Sequence, residues 1–307
     1  MNPAGTGEAS AMRGGSRAIL LCAAGVAMFS MMDVLMKGAS LAAGAYTALF
    51  WRNMLATLMS GAAMARTPYR WPPASVMRLH ILRAMLIAPM AWLFFWSLTK
   101  LPLAEVIGLS FIAPIIALAL APVLLGEKVQ PNEIGAALLG VAGVAIILSG
   151  RFSGAYSIDA LWGAAAVLVS AALFALNLLV QRRQAQVAGA IEVAFFQNVF
   201  VLALLLPFAP WMMGSVGSFS SWLAVASAAA LTVGSQIALS SAYARAPASR
   251  LIPLEYSAFL WACIWGWLVF AEVPTLTVLA GVVLIVAACL LAARQTPGIA
   301  RVEAESA

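Results

Sequence analysis

Apolar residues run along most of this chain in unbroken stretches of about 20 positions, separated by short joints rich in Pro, Gly or charge, such as Thr67-Pro68-Tyr69-Arg70, Gly126-Glu127-Lys128 and Ala246-Pro247. A helix advances ~1.5 Å per residue, so a stretch of that length spans the ~30 Å hydrocarbon core of a bilayer. Ten such stretches are predicted as helices: residues 18–38, 45–65, 76–98, 101–125, 132–149, 159–181, 191–210, 220–243, 249–270 and 275–293. The alternation with period two that a membrane barrel needs is absent, and the runs are too long for barrel strands. No gap between runs is long enough for a separate soluble domain. The pattern predicts an all-α integral membrane fold.

Composition agrees. Of 307 residues, 64% are hydrophobic and 9% charged, with a mean hydropathy of +0.99, whereas soluble domains carry about 25% charged residues. A water-soluble globule cannot hide that much apolar surface, which excludes a soluble enzyme, a nucleic-acid-binding module and a disordered chain. The net charge of +6 and pI near 9.7 therefore point to no nucleic-acid partner. Cys22, Cys263 and Cys289 lie inside apolar stretches without a CxxC pattern, so no metal or cofactor is expected. Arg13 and Arg17 precede the first run like a signal peptide, but the run is longer than a cleavable apolar region. Residues 1–17 are read as a cytoplasmic tail before an uncleaved first span, and residues 294–307 as a second tail.

The basic residues set the orientation. With the N-terminus in the cytoplasm, inside segments hold Arg13, Arg17, Arg66, Arg70, Arg78, Lys128, Arg182, Arg183, Arg245, Arg250, Arg294 and Arg301. Outside segments hold only Lys37, Lys100 and Arg151, while Arg52 and Arg83 fall within spans. This bias predicts both termini in the cytoplasm, in a bacterial inner membrane.

The chain also repeats itself. A shift of 145 residues aligns Phe29 with Phe174, Lys37 with Arg182, Phe50 with Phe195, Asn53 with Asn198, Pro102 with Pro247, Ile107 with Ile252, Leu109 with Leu254 and Glu127 with Glu272. Charged, Asn and Pro matches at one offset mark a duplication, with repeats at 18–150 and 159–293. Five spans per repeat is an odd number, so the second repeat is expected upside down relative to the first. Inverted repeats of this kind recur in secondary transporters, where exchanging the conformations of the halves turns an outward opening into an inward one.

Several stretches resemble the drug/metabolite transporter superfamily in its ten-span EamA branch. They are Phe50-Trp51-Arg52-Asn53, Leu101-Pro102-Leu103-Ala104-Glu105, Phe111-Ile112-Ala113-Pro114 and Leu124-Leu125-Gly126-Glu127, with weaker versions at Ala246-Pro247-Ala248-Ser249 and Phe270-Ala271-Glu272. The resemblance extends from about residue 18 to 293. It implies a carrier of amino acids, nucleotide-like cofactors, riboflavin or other small metabolites, with spans one to four and six to nine around a cavity. Phe259 stands where the first half has Pro114, and Gln197 where it has Arg52, so the halves are chemically unequal.

Ionisable groups inside a bilayer are costly unless paired or wetted, which makes each a candidate. Asp33 and Arg52 lie roughly 7 and 10 Å below the outer ends of neighbouring spans by the helical rise, at depths that allow an ion pair. The pair either locks two helices together or borders an outward mouth. Glu255, two residues after Pro253, sits where a broken backbone bond can admit water, which suits a proton-coupling or substrate-amine site; pairing with Arg250 is the structural alternative. Glu105 opens span four, where the helix dipole favours a negative charge. Glu127 and Glu272 end matching helices and are read as fold-maintaining groups with partners such as Lys128 or loop amides. His80, at the cytoplasmic edge, is read as solvated and interfacial.

Trp71, Trp162, Trp211 and Trp222 fall near span ends as interfacial anchors. Trp92 with Trp96, and Trp261 with Trp265, share helix faces at i, i+4 spacing; with Trp51, Tyr243 and Tyr256 they either line a cavity or pack helices. Gln197, Asn198, Ser235, Gln236, Ser240 and Ser241 supply hydrogen bonds to a solute or between helices. Spans five and ten, with small faces at Ala136, Gly140, Gly143 and Gly281, are read as peripheral helices suited to close approach or homodimer contact.

The resulting expectation is a secondary carrier of a small metabolite, working by alternating access on a solute gradient or proton exchange, since no nucleotide-binding loop is present. The residues expected at its site are Asp33, Arg52, Asn53, Trp96, Gln236, Glu255, Tyr256 and Trp261. An intramembrane enzyme lacks its HExxH, Ser/His or paired-Asp signature here, and a channel lacks a filter motif.

Overall fold

The computed structural model describes residues 4–67, 71–125, 131–152, 158–185, 187–243, 245, 251 and 254–294. Among them all regular structure is helical. The α-helices are α1 Ala4–Ala43, α2 Ala45–Met64, α3 Ala74–Leu98, α4 Leu103–Ser110, α5 Ala113–Leu125, α6 Pro131–Phe152, α7 Ile158–Ala185, α8 Ala190–Leu205, α9 Ala209–Met212, α10 Phe219–Tyr243, α11 Ser257–Phe270 and α12 Leu276–Arg294. Among the described residues, five stretches are long and apolar enough to cross a membrane: Arg17–Ala43, Ala74–Leu98, Ile158–Gln181, Ala190–Met212 and Phe219–Ala242.

Punctuation in the chain explains where helices stop. The first helix runs beyond its predicted end at 38, through Ala43, because nothing before Gly44 breaks it. Gly44 then turns the chain with φ 86°, a conformation open to glycine, while its N–H closes on Ser40 O at 2.9 Å. The predicted span 101–125 splits at Phe111–Ile112. Pro114 cannot donate to the turn before it, and the backbone tightens there to Phe111 N–H on Gly108 O (3.3 Å) and Ile112 N–H on Leu109 O (3.2 Å).

The repeat is visible in the helix bounds. Shifted by 145, α3 (74–98) becomes 219–243, the bounds of α10; the starts of α2 and α6 become those of α8 and α12. Packing follows the same exchange. Helix α1 lies on α10 as α3 lies on α7, α2 on α10 as α8 on α3, and α1 on α11 as α7 on α5.

Counterpart helices α2 and α8 also pack together, with Tyr46 donating its hydroxyl to Leu205 O and Gly61 lying against the Phe195 ring. Residue numbers rise on one helix as they fall on the other, so the two run antiparallel. Helices α6 and α12 do the same, with Gly143 against Ile285 and Ile147 against Gly281. A Cβ on Gly281 would sit 2.5 Å from Gly143 O, so the small faces of α6 and α12 serve close approach within the chain. Their other faces carry exposed Leu138, Val141 and Val283. Large apolar side chains are exposed all around the bundle, as a lipid-facing surface requires.

Candidate functional site

The interior holds charged side chains, and those fully buried among the described residues come from the first half. Helix α1 contributes Asp33, 4% exposed, and α2 contributes Arg52, 6% exposed. They act on each other electrostatically, yet the expected ion pair is not formed: no Asp33 oxygen lies within the 4.0 Å that defines the ion pairs Lys37–Glu272, His80–Glu192 and Lys100–Asp159. Arg52 instead places one Nη 3.6 Å from Met32 Sδ and its guanidinium 5.1 Å over the Phe95 ring, leaving Nε without an acceptor. Asp33 Oδ1 and Ser30 Oγ, one helical turn earlier, likewise have no partner. The guanidinium reaches toward α1 one residue short of Asp33, at Met32, and is flanked by the Phe95 face from α3.

The other expected site residues do not gather around this couple. Asn53 donates Nδ2–H to Leu49 O at 2.8 Å, and its counterpart Asn198 does the same to Ala194 O at 2.8 Å, so both amides bind their own helices. Gln236 is half-buried with Oε1 unpartnered on α10, near the level of Met28, which touches Gly234. Trp96 lies under Lys100 Nζ, 5.7 Å from the ring centroid, at the end of α3, while the preceding residue Phe95 is the one that meets Arg52.

Glu255 is half-buried and acts on Cys22, eleven residues before Asp33, or roughly 16 Å along α1 by the helical rise. Arg250, its expected partner, and Pro253 lie outside the described residues. Trp261 stacks on Trp265 (6.2 Å, 15°) and packs against the Cys22 cluster, and Tyr256 meets Phe111 edge to face at 5.2 Å. Thus Glu255 and Trp261 lie by the Cys22 cluster, whereas Tyr256 packs against the main core beside Phe111.

Two polar clusters were not anticipated. Lys37, counted above with the outside segments, is buried within α1, where it pairs with Glu272, donates to Leu101 O at 3.0 Å and lies 4.9 Å from the Phe270 centroid. Glu272 also accepts the Leu103 N–H at 2.8 Å, capping α4 where the helix dipole welcomes a negative charge. Ala271, with φ 55°, turns the chain so that this carboxylate faces α4; Glu272 N–H on Gly266 O (2.9 Å) and Ala271 N–H on Trp267 O (3.0 Å) close the end of α11 on this left-handed residue. A loop amide was expected for Glu272; Lys37, 235 residues away, was not.

His80 is not at a solvated edge. It is 1% exposed, with Nε2 3.0 Å from Glu192 Oε1 and Nδ1 2.7 Å from Gln184 Nε2. Arg83 donates from Nη1 to Gln184 Oε1 (2.6 Å) and from Nε to Asn177 Oδ1 (3.0 Å). The directions are fixed in series. Arg83 has only donors, so Gln184 turns its oxygen toward it and its NH2 toward His80 Nδ1; the proton of a neutral ring then sits on Nε2, facing Glu192. Glu192 opens onto a recess of about 380 Å³ lined also by Met64, Thr67 and Ser241. The sequence held a signal: His80 with Arg83 at i, i+3, and Asn177 with Gln184 at i, i+7, form polar stripes on otherwise apolar faces.

Residues 16–149 and 161–294 each match the EamA-like transporter family. Similar proteins include the pseudopaline exporter CntI of Pseudomonas aeruginosa, 25% identical over 91% of this chain and 97% of the relative. A riboflavin transporter of Brucella anthropi is 26% identical over 82% of this chain and 89% of the relative, and one of Rhizobium johnstonii is 28% identical over 90% of each. A solved crystal structure, 21% identical, superposes with a TM-score of 0.63 over 92% of this chain and 99% of its own, a likeness of fold.

Proposed function

Because the chain belongs to the EamA-like transporter family and is a multi-pass membrane transporter rather than an enzyme, we propose that it is a secondary carrier of a small metabolite working by alternating access. Ten membrane-crossing helices form two inverted five-helix repeats, 18–150 and 159–293, with both termini in the cytoplasm of a bacterial inner membrane. The observation that carries this reading is the exchange of contacts under the 145-residue shift, with counterpart helices antiparallel. Two halves that trade places in this way can also trade conformations, so an opening on one side has an equivalent on the other.

The solute is of the size and kind moved by the relatives: an amino acid, a flavin or a related amphipath. Asp33 and Arg52, held in the interior by α1 and α2, contact it; Glu255, Tyr256 and Gln236 lie deeper along the path, and Asn53, Trp96 and Trp261 support the walls. Proton exchange or the solute's own gradient drives the cycle.

Counterflow in proteoliposomes tests the proposal. Vesicles preloaded with unlabelled amino acids or riboflavin should accumulate the matching labelled solute transiently and saturably. Flux that never saturates indicates a channel, and absence of flux with every solute removes the carrier reading.

A further inference from the structure

Arg52 is a buried guanidinium with no carboxylate against it, and Asp33 a buried carboxylate with no cation against it. Each has given up hydration, and the side chains around them return little. A thioether is a weak acceptor, the Phe95 face an attraction without a hydrogen bond, and Arg52 Nε, Asp33 Oδ1 and Ser30 Oγ remain unpartnered. Two opposite charges in each other's field, held apart on adjacent helices, call for a ligand that answers both at once.

We propose that Asp33 and Arg52 receive the two ends of a zwitterion: Arg52 Nε and Nη take its carboxylate in a forked pair, and Asp33 Oδ1 with Ser30 Oγ takes its ammonium group. The proposal rests on the carrier reading and names its substrate class. Simpler ligands fail on charge. An anion alone would satisfy Arg52 and face Asp33 with like charge; a cation alone would do the reverse; a neutral solute would leave both without a counter-charge. A planar guanidinium suits a carboxylate better than an ammonium would, because two parallel N–H groups meet two oxygens. Met32 and Phe95 flank the site and give an apolar portion of the solute a surface to cover.

The test uses the full chain in lipid nanodiscs and reads its unfolding temperature with the proteinogenic amino acids as probes, adding for each one that stabilises its carboxamide and its deaminated acid, with riboflavin as a comparison without zwitterionic charge. The expected result is stabilisation by one or more amino acids, with both analogues weaker by more than about tenfold. Arg52→Gln should erase the preference for acid over carboxamide, and Asp33→Asn the preference over the deaminated acid. Should either variant fail to fold, the analogue series on the unaltered chain decides alone. A carboxamide or deaminated acid that binds as well as its parent overturns the proposal, as does the absence of a shift with every amino acid. In that last case riboflavin counterflow would leave the carrier reading standing, whereas absence of counterflow with every solute would remove that reading itself.

Discussion

Phe111 and Tyr256, 145 residues apart in the chain, meet ring to ring with centroids 5.2 Å apart and planes at 85°. They are counterparts under the repeat, and each marks the break in its half's broken helix: α4 ends before Phe111, and α11 begins after Tyr256. Counterpart residues touch only where the relation between the halves maps a place onto itself, so this contact sits on the pseudo-twofold axis. Breaks on an axis are places where one half can turn against the other without tearing regular helix.

That contact should be measurable as coupling. Phe111→Ala and Tyr256→Ala each remove the same edge-to-face pair, so the double variant should lose less stability than the sum of the singles, by about 0.5–1.5 kcal/mol. Denaturant unfolding in micelles gives the cycle. Additive losses would mean the rings do not meet in solution.

Ala271 adopts φ 55° at a helix end, where the first half has Gly126 in the corresponding sequence position. A non-glycine residue there is strained, and relief of the strain exceeds the extra chain entropy that glycine brings to the unfolded state. Ala271→Gly is expected to raise the unfolding temperature, with a gain of about 0.5–1 kcal/mol, while the Glu272 contacts to Lys37 and Leu103 persist. A loss of stability would show that this turn is not left-handed.

The helices were legible in the sequence because long apolar runs and their Pro and Gly joints are local signals. The repeat was legible because Asn53 with Asn198 and Glu127 with Glu272 fall at one offset. The break at Tyr256 was not, since Phe259 replaces the proline that accounts for the first half's break. Partners were the least legible. Lys37 with Glu272, His80 with Glu192 and Arg83 with Gln184 are joined only by tertiary packing, across 235, 112 and 101 residues. The expected Asp33–Arg52 pair rested on matching depth, which fixes height along the helices but not which way each side chain turns. Phe95, rather than Trp96, reaches Arg52 for the same reason.

The series Arg83, Gln184, His80, Glu192 predicts a tautomer. Nitrogen-15 spectra of a histidine-labelled chain, whose His80 is the sole histidine, should show a neutral ring protonated at Nε2. Gln184→Ala withdraws the acceptor from Arg83 and the donor from His80 Nδ1 together, leaving two buried groups unsatisfied at a cost of about 1–3 kcal/mol each. Its His80 ring should stay protonated at Nε2, which Glu192 still faces, with Nδ1 left without a donor. A ring protonated at Nδ1 in the unaltered chain would reverse the direction assigned to the Gln184–His80 hydrogen bond.

Inversion of the halves makes a prediction about sides. Ile158 and Val187, both exposed, flank α7, a helix of 28 residues and so about 42 Å long by the helical rise. If α7 crosses the membrane, the two must face opposite compartments, and Arg182 and Arg183 near its end put Val187 in the cytoplasm. In a background with Cys22, Cys263 and Cys289 replaced by alanine, Ile158→Cys should react with a membrane-impermeant maleimide in intact spheroplasts. Val187→Cys should react only after lysis. Reaction of both from one side would mean that α7 does not cross, and without that crossing the second half cannot lie upside down relative to the first.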